Sequence, residues 1–91
     1  MSTFIKQGLT LKLNTGVSLG SASLTEIDYL SPDGQRGHWT ASVDTTNVVY
    51  NIGNNEITTP GYWEFQSHVV LSGLHYYGDV VRILFEETLG G

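Results

Sequence analysis

The sequence predicts an all-β domain, a sandwich or small barrel of about seven strands, and three observations carry that prediction. Apolar and polar side chains alternate with a two-residue period in segment after segment. No stretch repeats apolar residues at helical spacing for long enough to make an amphipathic helix. Turn residues punctuate the chain every ~8 to 12 positions, the spacing of a sandwich. At 91 residues, 40% hydrophobic and 14% charged, the chain has the balance of a folded domain, not of a disordered acidic tail. A chain of this size buries only a little over ~60% of the surface it exposes when unfolded, so its core is thin. No linker divides it: 1–91 reads as one domain, with 1–8 as an N-terminal arm or first strand and 88–91 as a flexible C-terminus.

Leu9, Leu11 and Leu13 alternate with Thr10, Lys12 and Asn14, which makes a half-buried strand. After a connector from Gly16 to Ser23, the segment Leu24 to Leu30 is a second strand that stops at Ser31-Pro32-Asp33-Gly34. There Pro32 presets φ for the first corner of a turn, Asp33 bonds the backbone ahead, and Gly34 takes positive φ. Trp39, Ala41 and Val43 then face inward, against His38, Thr40 and Ser42 outward. Asp44-Thr45-Thr46-Asn47 is a turn, and Val48, Tyr50 and Ile52 form the inward face of the next strand, ended by Gly53-Asn54-Asn55. Ile57 lies in a short segment before Pro60-Gly61. Trp63, Phe65, Val69 and Leu71 share the inward parity of one long strand, with Tyr62, Glu64, Gln66, His68 and Val70 outward. Ser72 to Asp79 reads as a loop, before Val81, Ile83 and Phe85 inward and Arg82 and Glu86 outward. Pairing the last two long strands as a hairpin sets Val69 opposite Val81, Phe65 opposite Phe85 and His68 opposite Arg82. It also sets Glu64 opposite Glu86, a like-charge pair that costs stability.

Composition excludes much chemistry. Without cysteine there is no disulfide, no thiolate metal site and no thiol nucleophile. A formal net charge of -5 repels a phosphate backbone, and Lys6, Lys12, Arg36 and Arg82 are scattered, so nucleic acid is not expected as a partner. The opening MSTFIKQGLT lacks a basic segment followed by an apolar one, and no apolar run approaches the ~20 residues of a membrane span. The expectation is synthesis in the cytoplasm without a signal peptide, and no membrane partner. His38, His68 and His75 raise a metal hypothesis, with Asp79 near His75, but no His-x-His or His-Glu-x-x-His spacing brings two ligands together. No metal and no cofactor are expected. No carboxylate pair, Gly-x-Ser-x-Gly elbow or phosphate loop marks a catalytic site, so no catalytic residue is named. Tyr62, Tyr76 and Tyr77 lie close to glycines where a loop displays them to sugar or protein. Trp39 and Trp63 carry core parity, which leaves sugar binding as the lesser reading.

The order of features resembles a known family. "YLSPDG" closes one strand, "GHWTA" opens the next, "VVYNI" follows, and "TTPGYWEFQSHVVLSG" ends in a Gly-containing turn before "VVRILFEE". This is similar to the small immunoglobulin-like domains of tailed-bacteriophage and prophage virion proteins, including the N-terminal domain of upper baseplate proteins. The resemblance implies an immunoglobulin-like β-sandwich of about seven antiparallel strands without a disulfide and without catalytic residues. It implies work by docking to other virion subunits, in many symmetric copies, as a tail, baseplate, head-to-tail connector or capsid-decoration protein. The candidate partner contacts are Phe4, Lys6, Arg36, His38, Leu74, His75, Tyr76 and Tyr77. The arm from Ser2 to Gly8 either adds to a neighbour's sheet edge or is a plain first strand. The segment Gly73 to Gly78 is either an apolar contact patch or a cluster folded on its own sandwich. A glycan-binding or receptor-binding module using the loop tyrosines is the competing class, and an adhesin-like repeat the third.

Overall fold

The computed structural model describes residues 2–4, 9–53, 57 and 59–86, with 2–4 and 9 described by their backbone. The alternating segments become nine strands: β1 (Ser2–Phe4), β2 (Leu9–Asn14), β3 (Leu24–Leu30), β4 (Arg36–Thr40), β5 (Ser42–Asp44), β6 (Asn47–Ile52), β7 (Gly61–Leu71), β8 (Leu74–Tyr77) and β9 (Val81–Glu86). Among the described residues there is no helix, and so none long and apolar enough to cross a membrane. The strands make two sheets. The larger has six strands in the order β1-β9-β7-β3-β4, with β8 also paired to β7, and the smaller has the order β2-β6-β5.

One residue moves the chain between sheets. Ala41 separates β4 from β5, buried, with its N–H donating to Thr25 O at 3.0 Å and its carbonyl accepting from Thr25 Oγ1 at 2.8 Å. Beyond it the chain pairs with β6 of the smaller sheet instead of continuing beside β3. The two-residue turn after β5 places Thr45 at positive φ (57°). It is tied to the connector below by Thr15 N–H donating to Thr46 O at 2.8 Å and Leu19 N–H donating to Thr45 O at 3.2 Å. Leu19 is thereby driven into the core.

That core lies between the sheets. Leu11, Leu13, Val48 and Ile52 come from the smaller sheet, Ile27, Trp63, Phe65, Val69, Ile83 and Phe85 from the larger, and Ala41, Leu19 and Ile57 close its ends. Trp39 carries an aromatic run across the interface, stacked on Tyr50 with centroids 4.7 Å apart and 4.6 Å from Tyr29. The indole N–H of buried Trp63 donates to Thr59 O at 2.9 Å, so its polar edge is satisfied.

Several sequence expectations change. Among the described residues the strands number nine where about seven were expected: residues 74–77 of the expected loop form β8, the expected strand through Trp39 and Val43 divides at Ala41 into β4 and β5, Ser2–Phe4 form β1, parallel to β9, and Ile57 lies outside any strand. The hairpin register is also different. Ser72 and Gly73, both at positive φ (51° and 79°), turn the chain within two residues and set Leu71 opposite Leu74. β9 therefore pairs with the opposite end of β7, with Phe65 opposite Val81, Trp63 opposite Ile83 and Glu64 opposite Arg82. The expected Glu64–Glu86 repulsion does not arise. Instead Arg82 Nη2 donates to Glu64 Oε2 at 3.3 Å. Val43 and Val81 keep inward parity, opposite Val48 and Phe65, yet remain exposed at the sheet margins.

This register has a measurable consequence. Because the Arg82–Glu64 pair is largely solvated, Arg82→Gln is expected to cost at most ~1 kcal/mol in low salt and less as salt rises. Glu86→Gln, with no like charge opposite, is expected to stay within ~0.5 kcal/mol of the parent at every salt concentration. Urea melts at two ionic strengths check both, and a salt-dependent gain in Glu86→Gln counts against the register.

Candidate functional site

Two surfaces of the larger sheet carry unusual side chains, one on each face. On the inner face, six strands lie against three, and the margin formed by β8 and the start of β9 lacks full cover. Tyr76 lies opposite core Val69, Leu74 opposite Leu71 and Val81 opposite Phe65, so all three point to the inner face. They are nevertheless 42%, 60% and 36% exposed. A row of large apolar groups on the core side of a sheet, left in water, is the kind of patch that marks an interaction site.

On the outer face the pairing β4-β3-β7-β8 sets residues from four strands in adjoining rows. Glu26 lies between Thr40 and His68, and His68 in turn lies beside Tyr77. One row along, His38 faces Asp28, which faces Gln66. The side chains make a chain of contacts. His75 Nδ1 is 2.8 Å from His68 Nε2, His68 Nδ1 is 3.5 Å from Glu26 Oε1 and 4.0 Å from Asp28 Oδ2, and His38 Nε2 is 3.6 Å from Glu26 Oε2. Tyr77 stacks on His68 with centroids 4.5 Å apart and planes 11° from parallel. These neighbours shield His68 and Glu26, whose side chains are only 13% and 16% exposed although they lie on the solvent face. An open groove of about 520 Å³, lined by Asp28, Arg36, His38, Glu64, Gln66 and Val80 among others, runs beside the cluster.

The structure divides the residues singled out in the sequence. Leu74 and Tyr76 join the inner patch, while His38, His75 and Tyr77 join the outer cluster. Arg36 opens β4 and lines the groove together with Asp28 and His38, beside the outer cluster but without an ion pair to it. The backbone of Phe4 lies opposite Glu86 in β1, so at least this part of the arm is a strand of its own sheet; Lys6 lies outside the described residues. Tyr76 and Tyr77, expected in one loop, occupy opposite faces of β8. Glu26, Asp28 and His68 were missed as a group, because no local spacing unites them and the expected register sent His68 towards Arg82.

Comparison with protein-family models, curated proteins and solved structures finds no match for the chain. The class its geometry defines is an all-β, sandwich-like protein of two unequal sheets.

Proposed function

We propose that this chain is an immunoglobulin-like interaction module of a phage or prophage virion, working by protein–protein docking and without enzymatic activity. The strand order supports the fold family. On this reading, taken in chain order, β2 to β7 and β9 would be strands B, C, C′, D, E, F and G. The rows β9-β7-β3-β4 and β5-β6-β2 then correspond to the GFCC′ and DEB arrangements of such sandwiches. β8 is an addition within the F–G connection, and β1 extends the larger sheet beside G. The described turn and core residues of the motifs that resemble virion domains, from "YLSPDG" to "VVRILFEE", lie on these strands and in the turns that join them.

The observation that carries docking is the uncovered inner margin at Leu74, Tyr76 and Val81. A thin sandwich with open edges and such a patch gains stability when a neighbour covers it. The glycan reading draws less support, since Tyr76 and Tyr77 point to opposite faces and one ring face of Tyr77 is taken by His68.

Particle composition tests the proposal. Purified particles made from the genome that encodes the chain are expected to contain it in many copies by quantitative mass spectrometry. A Leu74→Glu/Tyr76→Glu double variant, folded by circular dichroism, is expected to be depleted at least ~10-fold from those particles. That loss corresponds to only about 1.4 kcal/mol of docking energy. Particles that lack the parent chain, or that take up the variant equally, overturn the reading.

A further inference from the structure

The outer cluster contains chemistry that docking through the inner margin does not use. Glu26, Asp28 and His68 each bring one ligand-type atom within 4.8 Å of the other two. We propose that these three residues bind a divalent first-row transition metal, Zn²⁺ being the ion the donor set fits best, with His38 as a further ligand from the neighbouring strand.

The spacing is close to what a metal requires. Bonds of ~2.0–2.2 Å to nitrogen and oxygen in a tetrahedral site put neighbouring ligand atoms roughly 3.3–3.5 Å apart. His68 Nδ1 stands 3.5 Å from Glu26 and 4.0 Å from Asp28, and His38 Nε2 stands 3.6 Å from the second oxygen of Glu26. Glu26, Asp28 and His68 already hold their ligand atoms within 4.8 Å of one another, and His38, which lies outside that group, joins by turning its exposed side chain. The backbone needs no movement, because the ligands stand on paired strands, Glu26 and Asp28 on β3, His38 on β4 and His68 on β7.

Electrostatics favour a cation. Glu26 and Asp28 are two residues apart on one face of β3, and among the described residues neither forms an ion pair with Lys or Arg. Two neighbouring carboxylates whose ion-pair partners among the described residues are imidazoles are best neutralised by a cation. A mixed imidazole and carboxylate set selects zinc and its neighbours over calcium or magnesium, which take oxygen ligands, and over copper(I), which takes sulfur.

The surroundings of His68 supply the second, independent argument. Metal-binding histidines are oriented by a hydrogen bond to the other ring nitrogen, and His75 Nδ1 lies 2.8 Å from His68 Nε2 on the side away from the carboxylates. Tyr77 stacked against the ring fixes its plane. Nδ1 is thus presented to Glu26 and Asp28 in a single orientation, while the more exposed His38 leaves the open side of the site to water.

Calorimetric titration of the full chain with ZnCl₂ in a non-chelating buffer tests the proposal, with Co²⁺ absorption reporting the coordination geometry. One ion per chain is expected, with d–d bands of tetrahedral or five-coordinate cobalt. His68→Gln and Glu26→Gln are each expected to weaken binding more than ~100-fold. His75→Phe keeps an aromatic ring against His68 but removes its nitrogen, and is expected to weaken binding about 10-fold. Asp28→Asn, a conservative change at a partly exposed position, carries the test if either of the first two variants fails to fold. A parent chain that binds no Zn²⁺ below ~1 mM, or binding unchanged in both Asp28→Asn and a folded His68→Gln or Glu26→Gln variant, overturns the proposal.

Discussion

Phe65→Ala is expected to lower the unfolding free energy by about 3–5 kcal/mol, the range for truncating a buried aromatic that leaves a cavity behind. Phe65 is fully buried at the middle of β7, the strand paired to β3, β8 and β9. Its ring lies 5.8 Å from Trp39, 6.4 Å from Trp63 and 6.4 Å from Phe85, so one truncation opens contacts to three aromatic neighbours. These neighbours are held by strands whose backbone pairing restrains collapse into the void. A domain of this length has roughly 5–14 kcal/mol to lose, which places the variant at the edge of folding at 37 °C. Val81→Ala supplies the contrast. Val81 is the cross-strand partner of Phe65 on the same face but lies at the exposed margin, so its truncation is expected to cost no more than ~1 kcal/mol. Urea denaturation of both variants checks the pair of values. Equal losses would mean that the core does not lie where the two sheets place it.

The contrast also shows what alternation in a sequence can and cannot specify. Parity assigned Phe65 and Val81 to the same face, and both are there. Parity does not tell how far the opposing sheet extends, and burial differs between the two because only one has cover. The Pro32-Asp33-Gly34 turn was legible because each residue type answers a local backbone demand. The turn forms there, with Gly34 at φ of 90° and Ser31 N–H donating to Gln35 O at 2.8 Å across the hairpin mouth, but the side chain that bonds the backbone ahead is Ser31, whose hydroxyl accepts from Gln35 N–H at 3.0 Å and donates to Asp33 Oδ1. The Ser72-Gly73 turn used equally local chemistry, but the four residues after it made a strand too short to distinguish from a loop by alternation. That omission displaced the register by four residues and hid the histidine cluster. With both turns in place, His38 opposite Asp28 and His68 opposite Tyr77 follow from hairpin geometry alone. The pairing of β3 with β7, which brings Glu26 to His68, is different in kind. The strands are more than thirty residues apart in the chain, and their register is selected by the shared core and not by any turn.

Gly61→Ala is expected to cost about 2–5 kcal/mol, because two separate physical terms meet at that residue. The backbone there has φ of +128°, a conformation that residues with a Cβ rarely adopt. An added Cβ would also lie 2.9 Å from Cγ and 3.0 Å from Cβ of Pro32, which belongs to the turn between β3 and β4. The position matters beyond its own strain. Gly61 opens β7, and the direction it gives the chain fixes which residues of that strand face the core, beginning with Trp63 and its hydrogen bond to Thr59. A double-mutant cycle separates the terms. In a Pro32→Gly background, which removes both Cγ and Cβ, the steric share is expected to vanish while the conformational share of about 1–3 kcal/mol remains, so the Gly61→Ala penalty shrinks without disappearing. A penalty equal in both backgrounds would assign the whole cost to φ. A Gly61→Ala protein as stable as the parent would mean that β7 does not need this bend to bring Trp63 inward.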